Sequence, residues 1–318
     1  MQRTALLTAF AVFAWTALAA AQSVGIGTSN PGSIYHSSGT AIAKVANQKE
    51  GLQATIQPFA SPNVFLPAVD SGELQFGFAN IYEGTIAYQG KEYFSGRPHE
   101  NLRAVAVVYP IRGALFVKKD SNIRTIADLK GHPMPDGYTS QKTILRILDA
   151  IYATAGLTRG DMEGFQVPNV VAGANAFTAG KIDGFMFAMG AAKVREADAA
   201  VGGIRALPVE DTPESLAAMQ AIFPGSYFRL EKPSPANPGV TEPVNTMAYD
   251  ALLYASAKAS DETVYKMTKA MYENKADLAA TFPVFKVFDP QGMAKNIAVP
   301  YHPGSIKFYT EKGLWPPK

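Results

Sequence analysis

A loop rich in glycine and hydroxyl residues, at positions 25–39, has the residue types best suited to binding a small ligand. Its sequence, GIGTSNPGSIYHSSG, separates a short apolar run from a segment with helical periodicity. A helix N-terminus carries about half a positive charge and several free N–H donors. We therefore expect the loop to bind one carboxylate or similar anion through Thr28, Ser29, Asn30 and Ser33. The alternative is a capped helix that simply follows a tight turn.

The same loop does not match the common nucleotide-binding motifs. A P-loop requires a lysine after its last glycine, and here Gly32 is followed by Ser33 and Ile34. The dinucleotide motif requires a third glycine where this chain has Asn30. Without the lysine, the helix end can balance one carboxylate, whereas a triphosphate would be undercompensated. No nucleotide cofactor is expected, and no other cofactor is predicted.

A second loop of similar composition lies near the middle of the chain. Thr139, Ser140 and Gln141 precede a long helical pattern, and Thr139 or Ser140 is suited to capping that helix. In an open α/β sheet such loops lie beyond the carboxyl ends of the strands, where ligands bind. Asp136 comes just before the loop, and it either holds an ammonium group of a ligand or caps the helix.

Catalytic machinery is poorly supported by the residue content. The chain has no cysteine, its four histidines lie far apart, and neither an HExxH pair nor a G-x-S-x-G elbow occurs. Carboxylates such as Asp70, Glu73 and Glu83 could act as acids or bases, but acids near helix ends are usually solvated. We predict no metal site, no catalytic residue and no enzyme activity.

Length and charge restrict the partners. A chain of 318 residues is long enough for two lobes with separate cores, and its net charge is only +2. No Lys/Arg cluster forms the basic stripe that nucleic-acid binding requires, so nucleic-acid partners are not expected.

The N-terminal residues 1–21 are predicted to be a cleavable signal peptide. They combine the basic Arg3 with an apolar run at 5–18 and small residues at Ala19 and Ala21. The alternative is an N-terminal membrane anchor, but the apolar run is shorter than the roughly 20 residues needed to cross a bilayer. The mature chain is therefore expected in the periplasm.

The elements that would position these loops alternate between strand and helix. Residues 23–80 predict a βαβαβ unit with a parallel sheet. Separate strands are predicted at 102–108 and 114–118. The proline- and glycine-rich stretch 211–243 predicts irregular surface. A C-terminal helix is predicted to begin after the capping residue Ser260.

Six segments occur in an order and spacing typical of one family. They are GTSNPGSIYHSSG, DSGELQFGFAN, LRAVAVVYP, KKDSNIRTIADLKGHPM, FTAGKIDGFMFAMGAA and VPYHPGSIKFYTEKG. Together they resemble the TAXI group of extracytoplasmic solute receptors, which serve TRAP transporters. The resemblance implies an α/β chain with the type II periplasmic binding protein fold, in which two lobes flank a ligand cleft and a two-segment hinge joins them. Lobe I would comprise residues 22–112 and 258–318, and lobe II residues 113–257.

The resemblance also implies the ligand, its contacts and the partners. The ligand would be a small organic anion such as glutamate or a related dicarboxylate, captured by hinge closure. The implied contacts are Thr28, Ser29, Asn30, Tyr35, Asn80, Thr139, Ser140 and Gln141, with backbone of Ala188, Met189 and Gly190. The protein would be monomeric and deliver its ligand to TRAP-type membrane subunits. The alternatives are a binding protein of an ABC or tricarboxylate transporter, or a secreted enzyme with Asp136 or Glu83 as general base.

Arg112 lies near the predicted crossover between the lobes. Its guanidinium is suited to holding a ligand carboxylate as a bidentate fork. The alternative is a solvent-exposed arginine at the start of a strand.

Overall fold

Ten strands and ten α-helices lie within residues 23–317, the part of the chain that this computed structural model describes. The predicted signal peptide lies outside these residues. The strands are β1 Val24–Thr28, β2 Ala54–Pro58, β3 Phe76–Asn80, β4 Leu102–Lys118, β5 Pro133–Gly137, β6 Glu163–Val167, β7 Gly184–Ala188, β8 Ile204–Ala206, β9 Tyr227–Glu231 and β10 Val244–Ser256. The helices are α1 Ile34–Glu50, α2 Pro62–Ser71, α3 Ile81–Gln89, α4 Thr143–Ala153, α5 Val170–Thr178, α6 Ala192–Ala200, α7 Pro213–Ile222, α8 Asp261–Glu273, α9 Lys275–Thr281 and α10 Pro303–Glu311.

The predicted βαβαβ unit is confirmed. β1 pairs in parallel with β2 on one side and with β3 on the other, and all five residues of β1 and of β3 are buried. Helices α1 and α2 form the two crossovers. Since parallel strands end at the same sheet edge, the loop after β1 and the loop after β3 lie side by side.

The main sheet has the strand order β2-β1-β3-β10-β4-β7. Its two longest strands, β4 and β10, are antiparallel neighbours near its centre. The C-terminal part of β10, from Ala251 to Ala255, pairs with β3. Its N-terminal part, Val244–Ala248, pairs instead with β9, and the far end of β4 pairs with β7 and β8. The same two strands therefore support the elements of both lobes.

Lobe II also contains a separate two-stranded parallel sheet made of β5 and β6. Asp183 N donates to Pro133 O at 3.0 Å, which connects this small sheet to the start of β7. The C-terminal segment returns to lobe I, where Tyr301 forms a bridge with Ala104. In α8, Ser260 caps the first turn as predicted, and Met267 and Met271 are buried.

Two sequence-based predictions of secondary structure are wrong. Residues 102–118 form one uninterrupted strand because Pro110 lies opposite Asp250, where the register shifts and a missing backbone N–H is tolerated. Residues 211–243 contain α7 and β9 rather than irregular surface only. Thr212 caps α7 with Pro213 in its first turn, and β9 gains its strand conformation by pairing with β10.

No helix within residues 23–317 is long and apolar enough to cross a membrane.

Candidate functional site

The first predicted loop lies between β1 and α1. Ser33 is the N-cap of α1 and accepts a hydrogen bond from His36 N at 3.1 Å. Thr28 and Ser29 are buried, whereas Asn30 is partly exposed. The Ser29 hydroxyl has no hydrogen-bond partner within the described part of the chain. A buried hydroxyl without a partner costs free energy, so this loop offers one unused polar group next to a helix N-terminus.

Tyr35 and Asn80, predicted from different segments, are in direct contact. The Asn80 side-chain amide donates to the Tyr35 hydroxyl at 3.0 Å, and the Tyr35 hydroxyl donates to Glu83 Oε2 at 2.9 Å. Asn80 and Glu83 also form a capping box on α3, in which Asn80 Oδ1 accepts from Glu83 N and Asn80 N donates to Glu83 Oε2 at 3.1 Å. The capping box holds the Glu83 carboxylate at the carboxyl end of β3.

Glu83 is a buried carboxylate, with 2% of its surface exposed. Burial disfavours its charged form and raises its pKa to about 7, while the hydrogen bonds from Asn80 N, Tyr35 and Thr143 oppose that shift. Thr143 is the first residue of α4 in lobe II. The Glu83 carboxylate in lobe I therefore meets a helix N-terminus of lobe II.

Aromatic and charged contacts connect the lobes around this point. The Tyr93 and Thr143 hydroxyls are hydrogen-bonded to each other, and the ring of Tyr82 stacks on Phe223 with centroids 4.3 Å apart. At the surface, Arg146 Nη2 of α4 lies 3.0 Å from Glu92 Oε1 of lobe I. The lobes are thus closed against each other at the α3 edge of the cleft.

Two open cavities flank the Glu92–Arg146 ion pair, and both are lined by residues of the two lobes. One has a volume of about 570 Å³ and lies between α3, the end of α7 and residues 296–298. The other has a volume of about 510 Å³ and includes the predicted residue Thr139.

On the opposite side, the first loop also touches lobe II. Lys193 N, in the first turn of α6, donates to Gly32 O at 3.3 Å.

Arg112 is buried at the middle of β4, not exposed at a strand start. Its Nη1 donates to Glu231 Oε2 at 2.7 Å and to Asn237 Oδ1 at 3.0 Å, and its Nη2 donates to Met189 O at 3.3 Å. Its Nε has no partner among the described residues. Most donors of this guanidinium are therefore already used by the protein itself.

Ala188 at the end of β7 and the two residues after it, Met189 and Gly190, lie beside Arg112. Met189 N donates to Arg112 O at 2.8 Å, and Ala188 pairs with Gly113 in the sheet. Gly190 has a positive φ of 83°, and a Cβ there would lie 3.0 Å from Val284 Cγ2. Only glycine fits this turn between β7 and α6 without strain.

The second predicted loop is placed differently from expectation. The N-cap of α4 is Lys142 and no side chain caps the helix, so the predicted capping by Thr139 or Ser140 is wrong. The reason is that the chain makes an additional turn, in which Gln141 N donates to Tyr138 O. Thr139 is exposed, Ser140 N donates to Pro168 O, and Gln141 Oε1 accepts from Val170 N at 3.1 Å.

Asp136 is held by an arginine of its own lobe. Arg159 Nη1 lies 2.9 Å from Asp136 Oδ1 and also binds Asp149 through Nε at 2.6 Å. An ammonium group of a ligand would have to compete with that guanidinium. Within residues 23–317 no group of three or more His, Cys, Asp or Glu side chains is arranged to hold a metal ion.

The structure thus places Tyr35 next to Asn80, and Arg112 next to Met189 and Gly190. The predicted residues Thr139–Gln141 contact neither of these two groups. Sequence reasoning missed the part of Glu83 and Thr143 in the contact between the lobes. A signal for Glu83 was present, because an asparagine followed three residues later by glutamate, directly after a buried strand, is a capping-box pattern.

The model of the NMT1-like family matches residues 26–313, which is nearly the whole described chain. This chain belongs to the NMT1-like family. The match begins within β1, ends just after α10 and hence includes both lobes.

Solved structures of periplasmic binding proteins have the same fold. The alkanesulfonate-binding protein SsuA from Xanthomonas axonopodis pv. citri, bound to MOPS, is 17% identical, with 92% of this chain and 94% of that chain covered and a TM-score of 0.52. PhnD1 from Prochlorococcus marinus, in complex with methylphosphonate, is 8% identical, with 92% and 98% covered and a TM-score of 0.56. At these identities the likeness concerns the fold alone, and it confirms the predicted two-lobed α/β class.

Proposed function

We propose that this member of the NMT1-like family is a periplasmic solute-binding protein that closes its lobes on a small organic solute and delivers it to a membrane transporter. One observation carries the proposal. The hydroxyls of Tyr93 in lobe I and Thr143 in lobe II are hydrogen-bonded to each other beside the buried Glu83 carboxylate, and separation of the lobes would expose these groups. The predicted signal peptide supports export, and no covalent chemistry is part of the function.

The hinge we propose consists of β4 and β10. The chain passes between the lobes twice. The sequence-based division, with lobe I at 22–112 and 258–318 and lobe II at 113–257, puts the first passage near Arg112, and we keep that position. For the second passage, the pairing of β10 favours a position near Ala248–Asp250, where its partner changes from β9 to β3. A ligand that contacts both lobes shifts the equilibrium towards the closed form by its differential contacts.

A small organic anion remains our proposal for the ligand class. The unpartnered Ser29 hydroxyl beside the α1 N-terminus supports it. So does the cluster in which Arg112 and Arg229 share the single carboxylate of Glu231, because its formal charge is +1. The Glu83 carboxylate argues against an anionic group of the ligand at its own position, since a second negative charge next to it would be repelled.

For the transporter, we place the ABC-type alternative ahead of the TRAP-type partner that the TAXI resemblance implies. The two structural relatives named above are an alkanesulfonate-binding protein and a methylphosphonate complex, and neither is described as a TRAP receptor. Gene order distinguishes the two. A neighbouring gene for an ATPase supports the ABC type, and a neighbouring gene for a fused TRAP membrane component supports the TRAP type.

The binding function is tested on mature protein that has been unfolded and refolded to remove bound solute. We expect a thermal-shift library of organic acids, amines and neutral solutes to yield ligands that bind with a stoichiometry of one and reduce the radius of gyration in small-angle scattering. Proton NMR of each bound solute should show no product. Product formation would support the enzyme alternative, and binding without compaction would contradict hinge closure.

A further inference from the structure

Glu83 differs from every other buried charged residue in the described chain. Five charged residues are buried between positions 23 and 317: Glu83, Arg112, Lys193, Glu231 and Asp250. Arg112 pairs with Glu231, Lys193 with Glu196, and Asp250 with Lys295. For Glu83, no cationic group within ion-pair distance is found among these residues. A buried carboxylate without a cation is costly, and a positive charge delivered from outside would offset that cost.

The position of Glu83 makes such delivery possible, provided that the lobes open as proposed above. Its neighbour Thr143 belongs to the other lobe, so opening removes the Thr143 hydroxyl from the carboxylate. The bonds from Tyr35 and from Asn80 N come from lobe I and remain in place. Both of these bonds are accepted by Oε2, so in the open form the other carboxylate oxygen, Oε1, has no hydrogen-bond donor among the described residues of lobe I.

Aromatic rings surround the same carboxylate. Tyr35 contacts it directly, and Tyr93 holds Thr143. The negative charge of Glu83 contributes to the raised pKa values of Tyr93, Tyr249 and Tyr254. A buried carboxylate among tyrosine side chains, with no other charged group close by, is an environment that favours a cation over an anion. The polar groups around Glu83 therefore come from several elements. They are the Asn80 amide, Tyr35 on α1, Thr143 on α4, Tyr93 after α3, and Tyr249 and Tyr254 on β10.

We propose that Glu83 determines ligand specificity by binding a protonated or quaternary nitrogen of the solute, in the place that Thr143 takes in the closed, empty protein. This inference rests on the proposed binding function and specifies one end of its ligand. A solute whose corresponding group is a carboxylate is disfavoured there, because two buried negative charges would repel each other.

The test uses three pairs of probes that match in size and differ in charge. They are 4-aminobutyrate and glutarate, arginine and citrulline, and choline and 3,3-dimethyl-1-butanol. In calorimetric titration of refolded wild-type protein, we expect the nitrogen cation of at least one pair to bind ten-fold or more tightly than its partner. In Glu83→Gln that preference should fall to less than about two-fold. Glu73→Gln, which changes an exposed acid at the end of α2, should keep the wild-type preference.

A second readout separates a ligand-binding role from a structural one. Titrations near neutral pH in buffers of different ionisation enthalpy count the protons released on binding. A cation that binds Glu83 expels the proton from the fraction of carboxyl groups that is protonated, so wild type releases protons and Glu83→Gln does not. Tighter binding of glutarate than of 4-aminobutyrate, or an unchanged preference in folded Glu83→Gln, overturns the proposal. If neither these probes nor the solute library of the preceding section binds, the proposed binding function fails and this inference fails with it.

Discussion

The hydroxyl of Tyr35 donates a hydrogen bond of 2.9 Å to the carboxylate of Glu83 and so connects α1 with α3 beneath the cleft. Both residues are buried, and Asn80 completes the group by donating to the same hydroxyl at 3.0 Å. Loops that follow two neighbouring parallel strands are thereby held in one arrangement. These three hydrogen-bonded side chains of the candidate site accordingly all belong to lobe I.

Glu83 should make stability depend on pH. Its pKa in the folded protein is raised to about 7 from an ordinary value of 4.5, so the folded state keeps a proton that the unfolded state releases between these values. Stability must therefore fall as pH rises through this window, by up to about 3 kcal/mol for this group. Urea unfolding at about pH 5 and about pH 8 measures the difference, and Glu83→Gln should remove this contribution. The exposed-site variant Glu73→Gln should keep it. An equal pH dependence in Glu83→Gln would contradict the assignment.

Tyr35→Phe should destabilise the protein by about 1–2 kcal/mol, because it removes one hydrogen bond from a buried carboxyl group and one from a buried amide. The loss should be largest above neutral pH, where Glu83 is charged and depends most on its donors. Tyr88→Phe is the matched control, since Tyr88 lies on α3, as Glu83 does, and its hydroxyl has no hydrogen bond within the described chain. Denaturant midpoints of the two variants give the comparison. Equal midpoints would show that the Tyr35 hydroxyl contributes nothing.

The βαβαβ unit was predictable from the sequence because its signals are local. Buried strands, a serine cap at Ser33 and a glycine C-cap at Gly51 are all visible within a few residues. The strand β9 was not predictable, since its conformation depends on pairing with β10. The same distinction applies to the site. Asn80 was named only as a ligand contact that the family resemblance implies, and its role as the cap of α3 was not predicted. The pairing of Arg112 with Glu231 joins residues far apart in the chain and leaves no local pattern.

Gly84→Ala should be strongly destabilising or prevent folding. A Cβ at this position would lie 2.1 Å from the ring of Tyr254, which is fully buried and donates to Asn80 O at 3.0 Å. The ring can move only by giving up that bond, so we expect a cost above about 3 kcal/mol. At Gly160 the added Cβ would meet only Thr158 Oγ1 at 3.6 Å, and Gly160→Ala should cost less than about 1 kcal/mol. Yield of folded protein and thermal midpoints measure both effects. A Gly84→Ala variant as stable as Gly160→Ala would show that Tyr254 is not fixed by Asn80.

Ser29→Ala should separate stability from affinity. The Ser29 hydroxyl is buried without a partner, so its removal should leave the stability of the empty protein unchanged or raise it by up to about 1 kcal/mol. If the hydroxyl donates to the ligand, affinity should fall by about 1–3 kcal/mol. Thermal midpoints without ligand and calorimetric titration with the solute found by screening measure the two quantities. Reduced stability with unchanged affinity would assign Ser29 a purely structural role and remove it from the site.

Arg112→Met should cost about 3–5 kcal/mol, because the buried Glu231 carboxylate loses its buried cation and keeps only the more exposed Arg229. If the pair is mainly structural, Arg112→Met combined with Glu231→Met should recover most of that loss, since an apolar pair needs no charge compensation. Affinity then decides whether the arginine also reaches the ligand. A stable double variant with wild-type affinity would show that the pair holds the lobes together and does nothing more. A different result would assign Arg112 Nε, the one guanidinium nitrogen without a partner in the described chain, to the ligand. That result is a stable double variant with affinity lowered ten-fold or more, while Lys269→Met, which breaks the ion pair with Glu50 at the far end of α1, keeps its affinity.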